Sequence, residues 1–269
     1  MVKVFILGLD GLEYDLVYKW NLPNLLQKQN GKIKVPISDK TGVPTSPEVW
    51  ATFLTGKRVR ADFVSRGLKG KIFGLFPLKP IIKHLRKEVN LSSIFPKKFS
   101  TPKRFPQLKA RSFLDITNSK EINAPYYSYN NLAFDFHFRF RHEKLTVQQV
   151  VSELKTLYVN IKKQILRTIE TLENIDLVFA YMHFPDAVQH HLFPKPRFIK
   201  QHYNDIDHFV SLLKECLPDS TLLILISDHG FDFGTQRHSK YGFYSSTQFI
   251  DPKPKHITDF FDIILRECS

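Results

Sequence analysis

Three aspartates and three histidines stand at or just beyond the ends of apolar runs, and their side chains are donors suited to divalent cations. Asp10 follows VKVFILGL, and Asp186 follows LVFAYMHFP with His190 four residues on. Asp228 and His229 follow TLLILIS, and His238 comes nine residues later. Carboxylate oxygens and imidazole nitrogens of this kind can hold two ions roughly 3.5–4 Å apart. Two divalent ions bring four positive charges, of which three carboxylates cancel three. The surplus would stabilise a deprotonated hydroxyl and a bound anion, so the pattern favours a phosphate or sulfate ester over a neutral substrate.

PTSPEVWATFLTG offers the hydroxyl. Pro is favoured at the first position of a helix, so Pro47 predicts that Ser46 stands at a helix N-terminus. Free N–H groups and the helix dipole favour a negative oxygen there. Taken alone, the segment equally fits a serine that merely caps its helix. Thr45 is the next hydroxyl in line.

The elements that must position these groups can be read from periodicity. Short apolar runs that stop at Gly or Pro suit interior strands of a parallel sheet, and ligands bind at the carboxyl ends of such strands. Val150, Leu154, Leu157, Ile161, Ile165, Ile169 and Leu172 recur at three- and four-residue steps, which predicts an amphipathic helix. Thr146 and Gln149 have capping-box spacing at its start. Further helices are expected over about 197–216 and 256–267. The alternation predicts an α/β fold, with a mostly parallel central sheet and helices on both faces.

Charge divides the chain. The net charge is +13. From Lys57 to Arg111 there are sixteen basic residues against two acids, whereas the remainder carries 23 basic and 24 acidic residues. Together with several Pro and Phe residues, this predicts a catalytic core of 1–56 and 146–269 and a basic cap insertion over 57–145. Within the cap, FDFHFRF alternates as a half-buried strand, placing His137 and Arg139 on the polar face. The basic excess could steer an anionic substrate toward the site or bind nucleic acid. Only Cys216 and Cys268 are present, which fits a reduced, cytoplasmic protein. No apolar stretch approaches the length of a membrane span, and the short N-terminal run reads as a strand rather than a leader.

LDG at Asp10, TSPEVWATFLTG at Ser46, FPDAVQH at Asp186, SDHG at Asp228 and the later His238 resemble the alkaline phosphatase superfamily. The resemblance is to its type I phosphodiesterase/nucleotide pyrophosphatase branch in a small microbial form, and it covers roughly 1–56 and 175–245. It implies one metal on Asp186, His190 and His238, and another on Asp10, Asp228 and His229 with the Ser46 oxygen bound to it. The ions it implies are two divalent cations, zinc first and manganese or magnesium as alternatives. The activity it implies is phosphoric ester hydrolysis through a phosphorylated Ser46. A phosphotransferase or mutase, or a polyanion-binding module on a degenerate phosphatase fold, are the rival expectations. Glu48 departs from the compact residue usual after the nucleophile, and neither Asn130 nor Asn131 aligns with the phosphate-holding Asn of the branch. His183 and His191 are expected not to be ligands, and His202 and His208 are expected on a solvated helix face.

Overall fold

The computed structural model of the protein describes residues 2–60, 104–105, 107–130, 145–193 and 195–269. The expected strand over 134–140, with His137 and Arg139, lies outside them, as does most of the expected cap. The central strands are β1 (Val4–Leu9), β2 (Gln29–Lys34), β3 (Ser119–Ile122), β4 (Leu177–Met182), β5 (Leu222–Ser227) and β8 (Tyr241–Ser246). β6 (Phe231–Asp232) and β7 (Arg237–His238) pair as a separate small ladder. The helices are α1 (Tyr14–Lys19), α2 (Pro23–Leu26), α3 (Ser46–Thr55), α4 (Val147–Glu170), α5 (Phe184–Leu192), α6 (Pro196–Cys216) and α7 (Asp259–Cys268).

The sheet order is β2-β8-β5-β1-β4-β3. β1 pairs in parallel with β4 and β5, and β3 with β4, while β8 runs antiparallel to β5 and β2. The sheet is therefore mostly parallel, as the apolar runs predict. β1, β4 and β5 are buried at every position, which requires cover on both faces.

Strand alternation divides their side chains between two cores. Phe5, Leu7, Val178, Ala180 and Leu225 meet Val150, Leu154 and Ile165 of α4, together with residues of α5 and α6. Ile6, Phe179, Tyr181 and Ile224 meet Trp50 and Phe53 of α3 and Phe260 and Ile264 of α7. The α4 stripe thus faces the sheet, and the Thr146–Gln149 capping box forms at its start, a device that contributes on the order of 1 kcal/mol.

Two boundaries differ from expectation. α7 begins at Asp259 rather than 256. The Asp259 carboxylate accepts the N–H groups of Lys255 and His256, each at 2.9 Å, and His256 bridges to Lys34. β3 lies inside the span expected to be cap, yet it is an edge strand of the central sheet. Phe113 and Leu114 just before it are buried in the core. The basic composition that suggested the cap stops at Arg111, and the chain has returned to the core beyond it. Among the described residues no helix is long and apolar enough to cross a membrane.

Candidate active site

Because β1, β4 and β5 run the same way in register, their carboxyl ends share one edge of the sheet. Leu9 lies opposite Met182, and Gly8 opposite Ile226. Asp10, His183 and Asp228 follow these ends directly. The chain then turns at Gly11 (φ 72°), where a Cβ would stand 2.8 Å from Asp186 Cβ, so only glycine fits without displacement. That close approach lets the Gly11 N–H donate to Asp228 Oδ1 at 3.1 Å. The Asp186 N–H donates to the Asp10 carbonyl at 2.9 Å, which fixes the start of α5 against β1. One helical turn later α5 presents His190 beside Asp186.

All seven predicted site residues come together. Ligand atoms of Asp10, Asp228 and His229 lie within 4.8 Å of one another. Ser46 Oγ joins them, 3.2 Å from both Asp10 Oδ1 and His229 Nε2. In the second set, Asp186 Oδ1 is 3.2 Å from His190 Nε2 and 3.6 Å from His238 Nε2, and the two imidazole nitrogens are 3.1 Å apart. The sets adjoin, with the His229 and His238 rings stacked at 3.6 Å. Ser46 is not a capping serine: Thr45 holds the cap position of α3, and Ser46 is its first helical residue.

The histidine tautomers are fixed from behind. His229 Nδ1 is 3.0 Å from the Gly230 carbonyl, and His238 Nδ1 is 2.9 Å from the Pro44 carbonyl. A carbonyl only accepts, so each Nδ1 carries the proton and each Nε2 presents a lone pair inward. His229 Nε2 accordingly faces Asp228 Oδ2 at 3.3 Å, and that oxygen is buried without a hydrogen-bond partner. Lone pairs opposed at this distance in a buried pocket suit a cation between them.

The titration pattern agrees. Burial raises the Asp228 carboxyl well above the usual range, and the like charges of Asp10 and Asp186 raise it further. Burial also opposes ionisation of Asp10, but Arg104 and His183 outweigh it and hold that carboxyl below the ordinary range. Asp186 is held low by His190 against the same penalty. Burial, then His238, pushes His229 down to about 4. Three carboxylates in so small a volume cannot all ionise easily without added positive charge. The donor chemistry fits divalent cations.

Two contributors, Arg104 and Tyr181, went unnoticed in the sequence. Arg104 Nη2 donates to Asp10 Oδ2 at 3.0 Å and to Ser46 Oγ at 2.9 Å, and lies 3.8 Å from Asp186 Oδ2. Phe105, beside it, packs on Tyr126, Tyr129 and Tyr181, anchoring the segment. Tyr181 donates its hydroxyl to Asp10 Oδ2. His183, expected to be no ligand, lies in the site, with Nδ1 3.2 Å from Asp10 Oδ2. It also forms a candidate metal group with Asp10 and Asp186, and Asp186 forms another with His229 and His238.

Tyr181 follows Phe179 at strand period on the α3 side, and His183 comes two residues further, so alternation was the available signal. Arg104 had none among sixteen basic residues. His191 belongs to no candidate metal group among the described residues. Glu48 is buried, and its Oε2 accepts from Thr45 Oγ1 at 3.2 Å. The Asn130 N–H donates to Asn123 Oδ1 at 2.8 Å, and Asn131 lies outside the described residues.

The mostly parallel sheet with helices on both faces resembles the fold of alkaline phosphatase. Residues 85–248 match the model of the type I phosphodiesterase / nucleotide pyrophosphatase family, and the chain belongs to that family. No curated protein matches the sequence.

Among solved structures, a magnesium-bound mutant of TAB5 alkaline phosphatase is similar in fold. Its TM-score is 0.57 at 14% identity, over 99% of this chain and 98% of that one. The TAB5 enzyme is from an Antarctic bacterium. Murine ectonucleotide pyrophosphatase / phosphodiesterase 5 matches with a TM-score of 0.41 and 16% identity over 84% of this chain. The match spans 57% of the murine protein's length.

Proposed function

We propose that the protein is a divalent-cation-dependent phosphoester hydrolase acting through a phosphorylated Ser46. The observation that carries this reading is the convergence of Asp10, His229 and Arg104 on one buried hydroxyl, all within 3.2 Å of Ser46 Oγ. Membership of the family supports phosphodiesters or pyrophosphates as the first substrates to try.

Asp10, Asp228 and His229 would hold one cation and Asp186, His190 and His238 the other. The mixed oxygen and imidazole donors suit zinc, and also manganese or magnesium where oxygen dominates. When bound, the cations would supply Lewis acidity toward phosphoryl oxygens and lower the pKa of hydroxyl or water. The chain's own groups do the rest. The N-terminus of α3 favours negative charge on Ser46 Oγ. Arg104, already bonded to that oxygen, would hold equatorial oxygens of the attacked phosphoryl group.

Ser46 Oγ forms a bond to phosphorus, the bond to the departing oxygen breaks, and that oxygen gains a proton as it leaves. Water then cleaves the phosphoserine bond and restores the hydroxyl. A degenerate binding module would not need to keep a complete donor set around a buried hydroxyl, which favours the enzyme. Ser46→Ala is expected to abolish hydrolysis of p-nitrophenyl phosphoesters while bound metal, by elemental analysis, stays at the wild-type level. Full activity in that variant would show the nucleophile to be another group, Thr45 first.

A further inference from the structure

Two of the candidate ligand carboxylates divide their oxygens between different neighbours. Asp10 Oδ1 faces Ser46 Oγ and His229 Nε2, at 3.2 and 3.5 Å, and Asp186 Oδ1 faces His190 and His238. Both Oδ2 atoms face Arg104 instead, whose Nη2 stands 3.0 Å from that of Asp10 and 3.8 Å from that of Asp186. Arg104 Nη1 lies against the His183 ring, 2.7 Å from Nε2. Asp10, His183 and Asp186 are themselves a group with metal-ligand spacing. The guanidinium thus sits among three side chains that could otherwise hold an ion of their own.

The oxygens also differ in how they are satisfied. Asp228 Oδ2, in the set with His229, is buried without a hydrogen-bond partner. Asp10 Oδ2 has Arg104, Tyr181 and His183 around it. An ion on that oxygen would stand about 2.0–2.2 Å away, in the space and on the lone pairs that Nη2 already takes. We propose that Arg104 fills a third cation position, as a built-in single charge where the chain would otherwise take up a third divalent ion. The inference rests on the two-cation reading above. Removing the guanidinium should then open a site on Asp10 Oδ2, His183 and Asp186 Oδ2, and the two carboxylate oxygens make manganese a fitting probe.

The test counts manganese bound to the full chain by equilibrium dialysis at saturating metal. The wild type should hold two ions, and Arg104→Met, which keeps an unbranched apolar stem, should hold one more. Adding His183→Ala to Arg104→Met should return the count to that of the wild type. Arg104→Gln, equally uncharged, carries the same expectation should the Met variant fail to fold by circular dichroism. Three ions on the wild type, no gain in the uncharged variants, or a gain that persists without His183 would overturn the proposal and leave the hydrolase reading intact. A wild type that takes up no manganese would sink the two-cation reading, and this inference with it.

Discussion

Arg104 shows how much of the site depends on single side chains remote in sequence. Its guanidinium contacts Asp10 and Ser46 together and is almost buried, with 10% side-chain exposure. A planar fork can hold two oxygens where an ammonium holds one. We therefore expect Arg104→Ala to lower kcat by roughly 10²–10³-fold, the usual cost of losing one preorganised donor. Arg104→Lys should restore little of it. Steady-state kinetics with parallel elemental analysis would check this, and a variant that loses metal but turns over normally when metal is resupplied would contradict the role.

The metal-ligand candidates were legible because Asp and His directly after apolar runs are conspicuous. Arg104 was not, because one arginine in a basic stretch looks like any other until tertiary contacts single it out. His183 lies on the α3 side of the sheet by its spacing from Tyr181, but its adjacency to stronger candidates gives it no distinct signal.

Among the elements, the β6–β7 ladder positions His238 and is braced by Glu13. The Phe231 N–H donates to Glu13 Oε2 at 2.9 Å, and Tyr203 OH accepts the Glu13 N–H at 2.9 Å. Gly230 precedes the ladder, and a Cβ there would stand 2.0 Å from Glu13 Oε2. Gly230→Ala must shift either the brace or the ladder, an overpacking cost on the order of 1–3 kcal/mol. We expect it to remove about one bound cation per chain while leaving the circular dichroism spectrum intact, as elemental analysis would show.

His202 of α6 packs against α4 and α5. The His202 ring packs on Tyr158 and Phe184 at 4.9 and 5.8 Å, with its Nε2 buried and unpartnered, not on a solvated face as expected; His208 is exposed. Burial, then Lys162, pushes the His202 pKa down to about 3. The unfolded chain takes up this proton near pH 6.5, whereas the folded chain resists until about pH 3. The imidazole thus destabilises the fold progressively as pH falls through that window, an effect moderated because the residue is only half-buried. His202→Phe should flatten the loss of Tm between pH 6.5 and 4, and an unchanged slope would count against the assignment. Periodicity identified α4 and α6 because each has one repeating apolar face, and unbroken apolar runs identified the three central strands. It could not register the isolated two-residue strands β6 and β7, which are set by Glu13 and the site rather than by any local pattern.

At the scale of the molecule, two cores on opposite faces of one sheet hold three strand ends in register, so distant carboxylates arrive within a few ångströms without any local sequence link. The general plan could be anticipated because fully apolar strands demand helices on both sides. The limits of the cap could not, since composition reports charge and not which residues re-enter the sheet at β3. The proposed cation requirement rests on this architecture. Asp10 and Asp228 are fully buried and Asp186 nearly so, and Arg104 alone cannot neutralise three carboxylates. Elemental analysis of the purified protein and of His190→Ala tests that requirement most directly. Two divalent ions per wild-type chain and one in the variant are predicted; a wild-type chain that binds no stoichiometric metal under saturating conditions would contradict the account.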